Sequence, residues 1–102
     1  MLKVTINEQE GRLIVALSGD FDNVASMRAE RDLEPVFERT DCDVVVDCTQ
    51  LDYISSSGLR IMLRIYKHTR SNGRKAVLKG LKDDLKEVFE LSGFMPLFVL
   101  EK

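Results

Sequence analysis

VVVDCTQLDYISSSGLR, residues 44–60, leads from three valines through a polar segment into three serines and a glycine. Three consecutive β-branched residues are typical of a strand that is buried on both faces, in the middle of a partly parallel sheet. Apolar residues follow at helical spacing at Leu59, Met62, Leu63 and Tyr66. The stretch therefore predicts a central strand, a polar loop and a helix N-terminus that presents serine hydroxyls.

The N-terminal part of the chain predicts a hairpin and a helix. Residues 2–7 and 12–18 alternate as two strands, and the glycine-containing connection between them is typical of a hairpin. Residues 19–23 then break the pattern, and Asp22 or Asn23 is predicted to cap a helix over residues 24–39. Pro35 predicts a kink in that helix, or a break with a last short helix that begins at the proline.

The C-terminal part continues the alternation of helix and strand. The helix after the serines is predicted to end at Gly73, where glycine fits a left-handed cap. A short strand over 75–80, a helix with apolar residues from Leu81 to Phe89, and an edge strand over 97–100 after Pro96 complete the chain. We expect one α/β domain over residues 1–102, with a mixed β-sheet, an N-terminal hairpin and about three to four helices packed on it.

Composition and charge limit the classes of function. Hydrophobic residues make up 44% of the chain and charged residues 31%, a balance typical of a globular protein. A formal net charge of -2 gives no electrostatic footprint for nucleic acid. No apolar run reaches the roughly 20 residues of a membrane span, and the N-terminus lacks the apolar core of a signal peptide. We therefore expect a cytoplasmic protein that binds neither nucleic acid nor membrane.

The cysteines and carboxylates do not predict a metal site. Cys42 and Cys48 stand at the two ends of the valine run, and in an extended chain their Cα atoms lie roughly 20 Å apart, beyond disulfide reach. Without a CxxC pair or a histidine neighbour, they are predicted to be reduced structural thiols. Four aspartates lack the order of a calcium loop and are predicted to be caps and loop carboxylates, namely Asp20, Asp22, Asp47 and Asp52.

The set of side chains also argues against an enzyme and against a bound cofactor. A serine nucleophile needs a base and an orienting acid beside it. The only histidine, His68, lies twelve residues along the predicted helix from Ser56, roughly 18 Å at the rise of an α-helix. Neither a G-x-S-x-G motif nor a Walker or dinucleotide glycine loop is present.

Residues 52–60, Asp-Tyr-Ile-Ser-Ser-Ser-Gly-Leu-Arg, resemble the signature of STAS domains, specifically of free-standing bacterial anti-sigma factor antagonists. In that family, the serine two positions before the glycine is phosphorylated by a partner that is both a serine kinase and an anti-sigma factor. The matching residue is Ser56. Many members of the family carry an aspartate immediately before the acceptor, where this chain has Ser55, so Ser55 and Ser57 stand as alternative acceptors.

The resemblance also implies a surface for the partner. Gly19-Asp20-Phe21-Asp22 is similar to a Gly-x-Leu-Asp element of STAS proteins, which implies that Asp22 lies close to the phosphoacceptor loop; a helix cap is the compatible alternative. Arg60, Arg64, Lys67 and His68 form a basic stripe, which is either a solvated helix face or a surface for an acidic partner. The residues expected to bind the partner are Asp20, Asp22, Tyr53, Ser55, Ser57, Gly58, Arg60 and Arg64.

The function that the resemblance implies is a binding switch controlled by charge. The unmodified protein, a monomer when free, would bind the serine kinase/anti-sigma factor and release its sigma factor. Phosphorylation of Ser56 would end binding, and a phosphatase would reset the switch. Two alternatives remain: the serines serve only as helix caps, or the chain is a STAS regulatory or structural adaptor, in a stressosome-like assembly or beside a lipid transporter, that serine phosphorylation does not control.

Overall fold

A computed structural model describes residues 1–102 and contains five strands, four α-helices and one 3₁₀-helix. The strands are β1 (Lys3–Gln9), β2 (Arg12–Phe21), β3 (Val44–Ile54), β4 (Ala76–Lys79) and β5 (Val99–Glu101). The helices are α1 (Asn23–Asp32), α2 (Glu34–Glu38), α3 (Ser56–Ser71) and α4 (Asp83–Leu91), with the 3₁₀-helix over Met95–Leu97.

The five strands form one mixed sheet in the order β1-β2-β3-β4-β5. The hairpin β1/β2 is antiparallel, and the other three neighbouring pairs are parallel, each connected through one or more helices. Val44, Val45 and Val46 are at most 1% exposed, because β3 lies in the middle of the sheet. The predicted central strand, the hairpin and the α/β fold class are confirmed.

A single apolar core joins the sheet to all four helices. Leu13, Val15 and Leu17 project from alternate positions of β2 into this core, as the predicted alternation requires. Each helix contributes to the same cluster, with Ala29 from α1, Val36 from α2, Met62 from α3 and Phe89 from α4. The core therefore fixes the position of α1 and α3, which carry the candidate site.

The break at Pro35 follows the prediction. α1 ends at Asp32, and α2 begins at Glu34 with Pro35 in its first turn. A proline is tolerated there because the first backbone N–H groups of a helix have no intrahelical partner. Asp22 rather than Asn23 caps α1, since its side chain accepts a hydrogen bond from the N–H of Ala25.

Two strands are longer than predicted. The turn expected over residues 19–23 is wrong at its start, since β2 continues to Phe21, and the polar loop expected after Val46 belongs to β3, which continues to Ile54. The register of β2 against β3 shifts between Ala16 and Ser18 and again between Gly19 and Asp20. Such irregularities break the two-residue alternation by which a strand is recognised.

The C-terminal strand is shorter than predicted. Pro96 lies inside the 3₁₀-helix rather than at the start of a strand, and β5 begins only at Val99. The fixed φ of proline suits the first turn of a helix, which explains this placement. The position of β5 at the edge of the sheet agrees with the prediction.

Cys42 and Cys48 are buried and free, as predicted for structural thiols. Burial, with a smaller contribution from the charge of Asp47, raises the pKa of the Cys48 thiol to about 12. None of the helices has the length and apolar character needed to cross a membrane. The structure contains no cluster of three or more His, Cys, Asp or Glu side chains suited to hold a metal ion.

Candidate functional site

The neighbouring ends of β2 and β3 bring two helix starts together. Phe21, the last residue of β2, pairs in register with Ile54, the last residue of β3. The N–H of Ser55 donates to the carbonyl oxygen of Phe21 at 2.8 Å. Asp22 and Ser56, one and two residues beyond these strand ends, therefore enter α1 and α3 from adjacent positions on the same edge of the sheet.

Ser55 is the N-cap of α3. Its Oγ accepts a hydrogen bond from the N–H of Gly58 at 3.1 Å, and its carbonyl oxygen accepts from the N–H of Leu59 at 2.9 Å. The residue is only 7% exposed. A hydroxyl that is buried and committed to a cap is a poor phosphate acceptor, so the capping role considered for the serines belongs to Ser55.

Ser56 and Ser57 differ from Ser55 in both exposure and bonding. Ser56 is the first residue of α3 and is exposed, whereas Ser57 is half-buried. Of the three serine hydroxyls, only that of Ser55 makes a hydrogen bond within the chain. Ser56 therefore presents a free hydroxyl beside the first N–H groups of a helix, where the helix dipole favours negative charge.

Gly58 allows α3 to approach the strand ends closely. A Cβ atom on Gly58 would lie 2.8 Å from Cγ1 of Ile54 and 3.1 Å from Cδ1 of Phe21. Phe21 is completely buried, so it cannot yield by swinging into solvent. The glycine of the motif is thus required by packing. Phe21 and Ile54 support the serine loop, a role that their apolar positions in the sequence did not predict.

The aspartates and the tyrosine of the predicted surface occupy two different situations. Asp22 is half-buried, and its Oδ1 accepts from the N–H of Ala25 at 2.8 Å. Asp20 and Tyr53 are paired across β2 and β3, and both are exposed, Tyr53 by 50%. Asp20 and Tyr53 therefore form an open pair beside the serine loop, whereas Asp22 is tied to the start of α1.

The basic stripe on α3 is reduced to three residues. Arg60 and Lys67 are exposed and make no ion pair. Arg64 lies 3.5 Å from Glu30 of α1 and stacks over the ring of Phe37 at 4.8 Å from its centroid.

His68, predicted to belong to that stripe, is directed elsewhere. Its Nε2 lies 2.5 Å from the carbonyl oxygen of Arg39, and its ring packs edge-on against Phe37. The prediction that His68 belongs to the basic stripe is wrong, because its contact with the carbonyl oxygen of Arg39, 29 residues away in sequence, turns the ring into the protein.

A groove of about 660 Å³ runs between α1 and α3 and is open to solvent. Ser57 and the three cations of α3 line it on one side, and Asn23, Ser26, Met27 and Glu30 of α1 line it on the other. Of the residues predicted to bind a partner, Ser57, Arg60 and Arg64 therefore meet in one surface feature, next to Ser56.

The mixed sheet with an N-terminal hairpin, and the serine loop at the ends of β2 and β3, agree with what the STAS resemblance implies. Residues 3–102 match the STAS domain family, and the chain belongs to that family. The family that residues 52–60 predicted is thereby confirmed.

Several relatives of this chain are named as anti-sigma factor antagonists. BtrV of Bordetella bronchiseptica, named as an anti-sigma factor antagonist, is 37% identical over 97 residues, which cover 95% of this chain and 84% of BtrV. An anti-sigma factor antagonist from Mycobacterium paratuberculosis has a similar structure, with a TM-score of 0.83 and 20% identity over 99% of this chain and 86% of that one. Anti-sigma factor antagonists are the class that the sequence predicted.

SpoIIAA, a Bacillus cell fate determinant and anti-sigma factor antagonist, has the same fold. Its phosphorylated form has a TM-score of 0.72 and 16% identity, over 98% of this chain and 92% of that one. Its unphosphorylated form has a TM-score of 0.73 and 12% identity, over 100% of this chain and 87% of that one.

Proposed function

We propose that this chain is an anti-sigma factor antagonist that phosphorylation of Ser56 switches off. In the unmodified state it binds a serine kinase that is also an anti-sigma factor, and the bound sigma factor is released. The observation that carries the proposal is the contrast between adjacent hydroxyls, because Ser56 is exposed and free while Ser55 is buried and bonded to Gly58. The named function of BtrV, a relative over 95% of this chain, supports the same conclusion.

Charge provides the physical basis of the switch. Phosphorylation replaces a neutral hydroxyl with a group that carries about -1.5 to -2 charges at neutral pH. In an interface fitted to the hydroxyl, burying that charge without a cation from the partner costs on the order of several kcal/mol, enough to release the partner. In the free domain the phosphate remains in water at a helix N-terminus, where it is favoured by about 0.3–1 kcal/mol.

The chain supplies the acceptor, and the partner supplies the catalysis. In the transfer, the γ-phosphoryl group of ATP moves to Oγ of Ser56, ADP leaves, and the hydroxyl proton passes to a base. His68 is unsuited to be that base, because it lies twelve residues along α3 and its Nε2 is engaged with the carbonyl oxygen of Arg39. The base and Mg–ATP would therefore come from the kinase.

The test is phosphorylation by a candidate kinase. The purified chain is incubated with Mg–ATP and candidate anti-sigma serine kinases from the same genome, and the product is mapped by mass spectrometry. We expect one phosphate, on Ser56. Ser56→Ala should fold, bind the kinase and remain unmodified, and Ser57→Ala should be modified as the native chain is.

Two results would change the proposal. Phosphate on Ser57 in the Ser56→Ala protein would move the acceptor to Ser57. Stable binding of other STAS proteins, with no kinase able to bind or modify the chain, would favour the regulatory or structural adaptor instead.

A further inference from the structure

The groove between α1 and α3 has a positive side that the rest of the molecule does not explain. Its α3 wall carries Arg60, Arg64 and Lys67 at successive turns, and its α1 wall carries one acid, Glu30. The chain as a whole has a net charge of -2, so this concentration of cations is local.

Two of the three cations are available to a ligand. Glu30 lies 3.5 Å from Arg64 and offsets its charge. Arg60 and Lys67 take part in none of the ion pairs of the structure. They are seven residues apart, about 10 Å along the helix axis, which matches the spacing of acids two turns apart on a partner helix.

The groove also offers an apolar contact. Met27 of α1 lines the groove and is 79% exposed. The methionine side chain is flexible and polarizable, and adapts its shape to a partner surface. An exposed methionine on the wall opposite the cations suits a segment that is both acidic and partly apolar.

We propose that this groove binds an acidic, partly apolar segment of the kinase/anti-sigma partner, with carboxylates at Arg60 and Lys67 and an apolar side chain on Met27. The proposal rests on the function proposed above, and it names the surface and the chemistry of the contact. Charge complementarity of this kind raises the association rate and orients the encounter.

The position of Arg60 connects the groove to the switch. Arg60 lies one turn along α3 from Ser56, the spacing at which side chains on a helix meet. A phosphate on Ser56 would compete with the acidic segment for Arg60. Phosphorylation therefore weakens binding of the partner in the groove as well as its contact with the Ser56 hydroxyl.

Lys67 provides the sharpest test of the groove. It is eleven residues from Ser56, about 16 Å along the helix, or about two Debye lengths at physiological ionic strength. A change at Lys67 therefore leaves the acceptor serine electrostatically undisturbed. In Lys67→Glu we expect about tenfold weaker binding of the kinase that modifies the native chain, a slower association and a reduced salt dependence. Binding is measured without ATP, by surface plasmon resonance at two salt concentrations.

Two further variants complete the design. Lys3→Glu, on β1 outside the groove, makes the same change in net charge and should bind within about twofold of the native chain. Met27→Ser should weaken binding by about threefold to tenfold with an unchanged melting temperature, because the side chain is exposed in the free protein.

The outcomes separate this proposal from the one on which it rests. The groove proposal would be wrong if the kinase binds the native chain and phosphorylates Ser56, yet binds Lys67→Glu or Met27→Ser as tightly as the native chain. The proposed phosphorylation switch would then still stand. Equal losses in Lys67→Glu and Lys3→Glu would reduce the effect to net charge and also overturn it. Failure of every candidate anti-sigma kinase from the same genome to bind or modify the native chain would refute the proposed function itself.

Discussion

The position before the proposed phosphate acceptor requires a hydrogen-bond acceptor rather than a charge. Ser55 Oγ receives the N–H of Gly58 and thereby caps α3. Serine and aspartate are about equally effective as N-caps, so Ser55 can cap α3 as well as the aspartate that the STAS resemblance leads one to expect at this position. The STAS resemblance pointed to Ser56 and left Ser55 and Ser57 as alternatives. The residues alone could not exclude those two, because their accessibility depends on which hydroxyl turns inward to the helix backbone.

Substitution of Ser55 tests this cap. Ser55→Ala removes the acceptor for the Gly58 N–H and should lower the free energy of unfolding by about 1 kcal/mol, measured by urea denaturation. Ser55→Asp should retain native stability, because a carboxylate accepts the same bond. Ser56→Ala is the matched control and should change stability by less than about 0.5 kcal/mol. Equal losses in Ser55→Ala and Ser56→Ala would contradict the assignment of the cap.

Asp22 combines a cap with a charge, and two substitutions separate them. Asp22→Ala should lose about 1 kcal/mol of stability, since the N–H of Ala25 loses its acceptor. Asp22→Asn keeps an acceptor oxygen and should melt as the native protein does, yet be phosphorylated more slowly, because it removes the negative charge that the STAS resemblance implies near the phosphoacceptor loop. Both rates and melting temperatures are measured on the same preparations. Normal phosphorylation of Asp22→Asn would leave capping as the only role of this residue.

Among the secondary-structure elements, the lengths of strands β2 and β3 are what the sequence did not predict. The sequence located every α-helix and strand, though not the 3₁₀-helix over Met95–Leu97, since buried positions recur at helical or alternate spacing along most of the chain. The predicted β2 ended before Phe21 and the predicted β3 ended after Val46. The register between the two strands shifts at Ala16/Ser18 and Gly19/Asp20, which interrupts the alternation of buried and exposed residues. The inward residues of β3 then fall at Cys48, Leu51 and Ile54, where the spacing changes from two to three. A bulge is decided by the neighbouring strand, and a single strand's sequence does not reveal it.

The charge distribution of α3 predicts how phosphorylation affects stability. The helix has no acid in its first turn and carries His68 and Arg70 in its last, so its N-terminal partial charge is uncompensated. A phosphate on Ser56 would supply that charge and add about 0.3–1 kcal/mol to the free energy of unfolding. The melting temperature should therefore rise by about 1–8 °C, measured by calorimetry on the phosphorylated and unmodified chains.

Salt provides the control for this prediction. The difference between the two forms should shrink in high salt, because exposed charges are screened. A phosphorylated protein that melts well below the unmodified one would show that the phosphate disturbs the domain itself, and the account of a switch confined to the interface would fail.

At the scale of the whole molecule, the pattern of the sequence predicted the layers but not the contacts between distant residues. A hairpin followed by alternating helices and strands predicts a mixed sheet with helical crossovers, and that sheet is present. The groove between α1 and α3 depends on how two helices 33 residues apart at their first residues pack on one core. The contact of His68 with the carbonyl oxygen of Arg39 has the same origin.

The buried thiols give a prediction for the whole fold. Burial raises the pKa of Cys48 from 9.0 to about 12, so the native state keeps the proton that an unfolded chain loses above about pH 9. Between about pH 9 and 12 the unfolded state therefore binds fewer protons than the native state, and the free energy of unfolding falls as pH rises. The contribution of Cys48 to stability is complete below pH 9 and is lost toward pH 12, by at most about 1.4 kcal/mol per pH unit. Urea denaturation of the native chain and Cys48→Ala should therefore converge in stability as pH rises above 9.

The same burial should protect both thiols in the native protein. Cys42 and Cys48 are at most 5% exposed, and a thiol reacts as the thiolate at an accessible site. With a disulfide reagent at about pH 8, we expect no reaction in native buffer and release of two equivalents in urea, in agreement with two free cysteines. Rapid modification of either thiol in native buffer would mean that the core around the start of β3 opens easily, and the structural role assigned to the two buried thiols would be wrong.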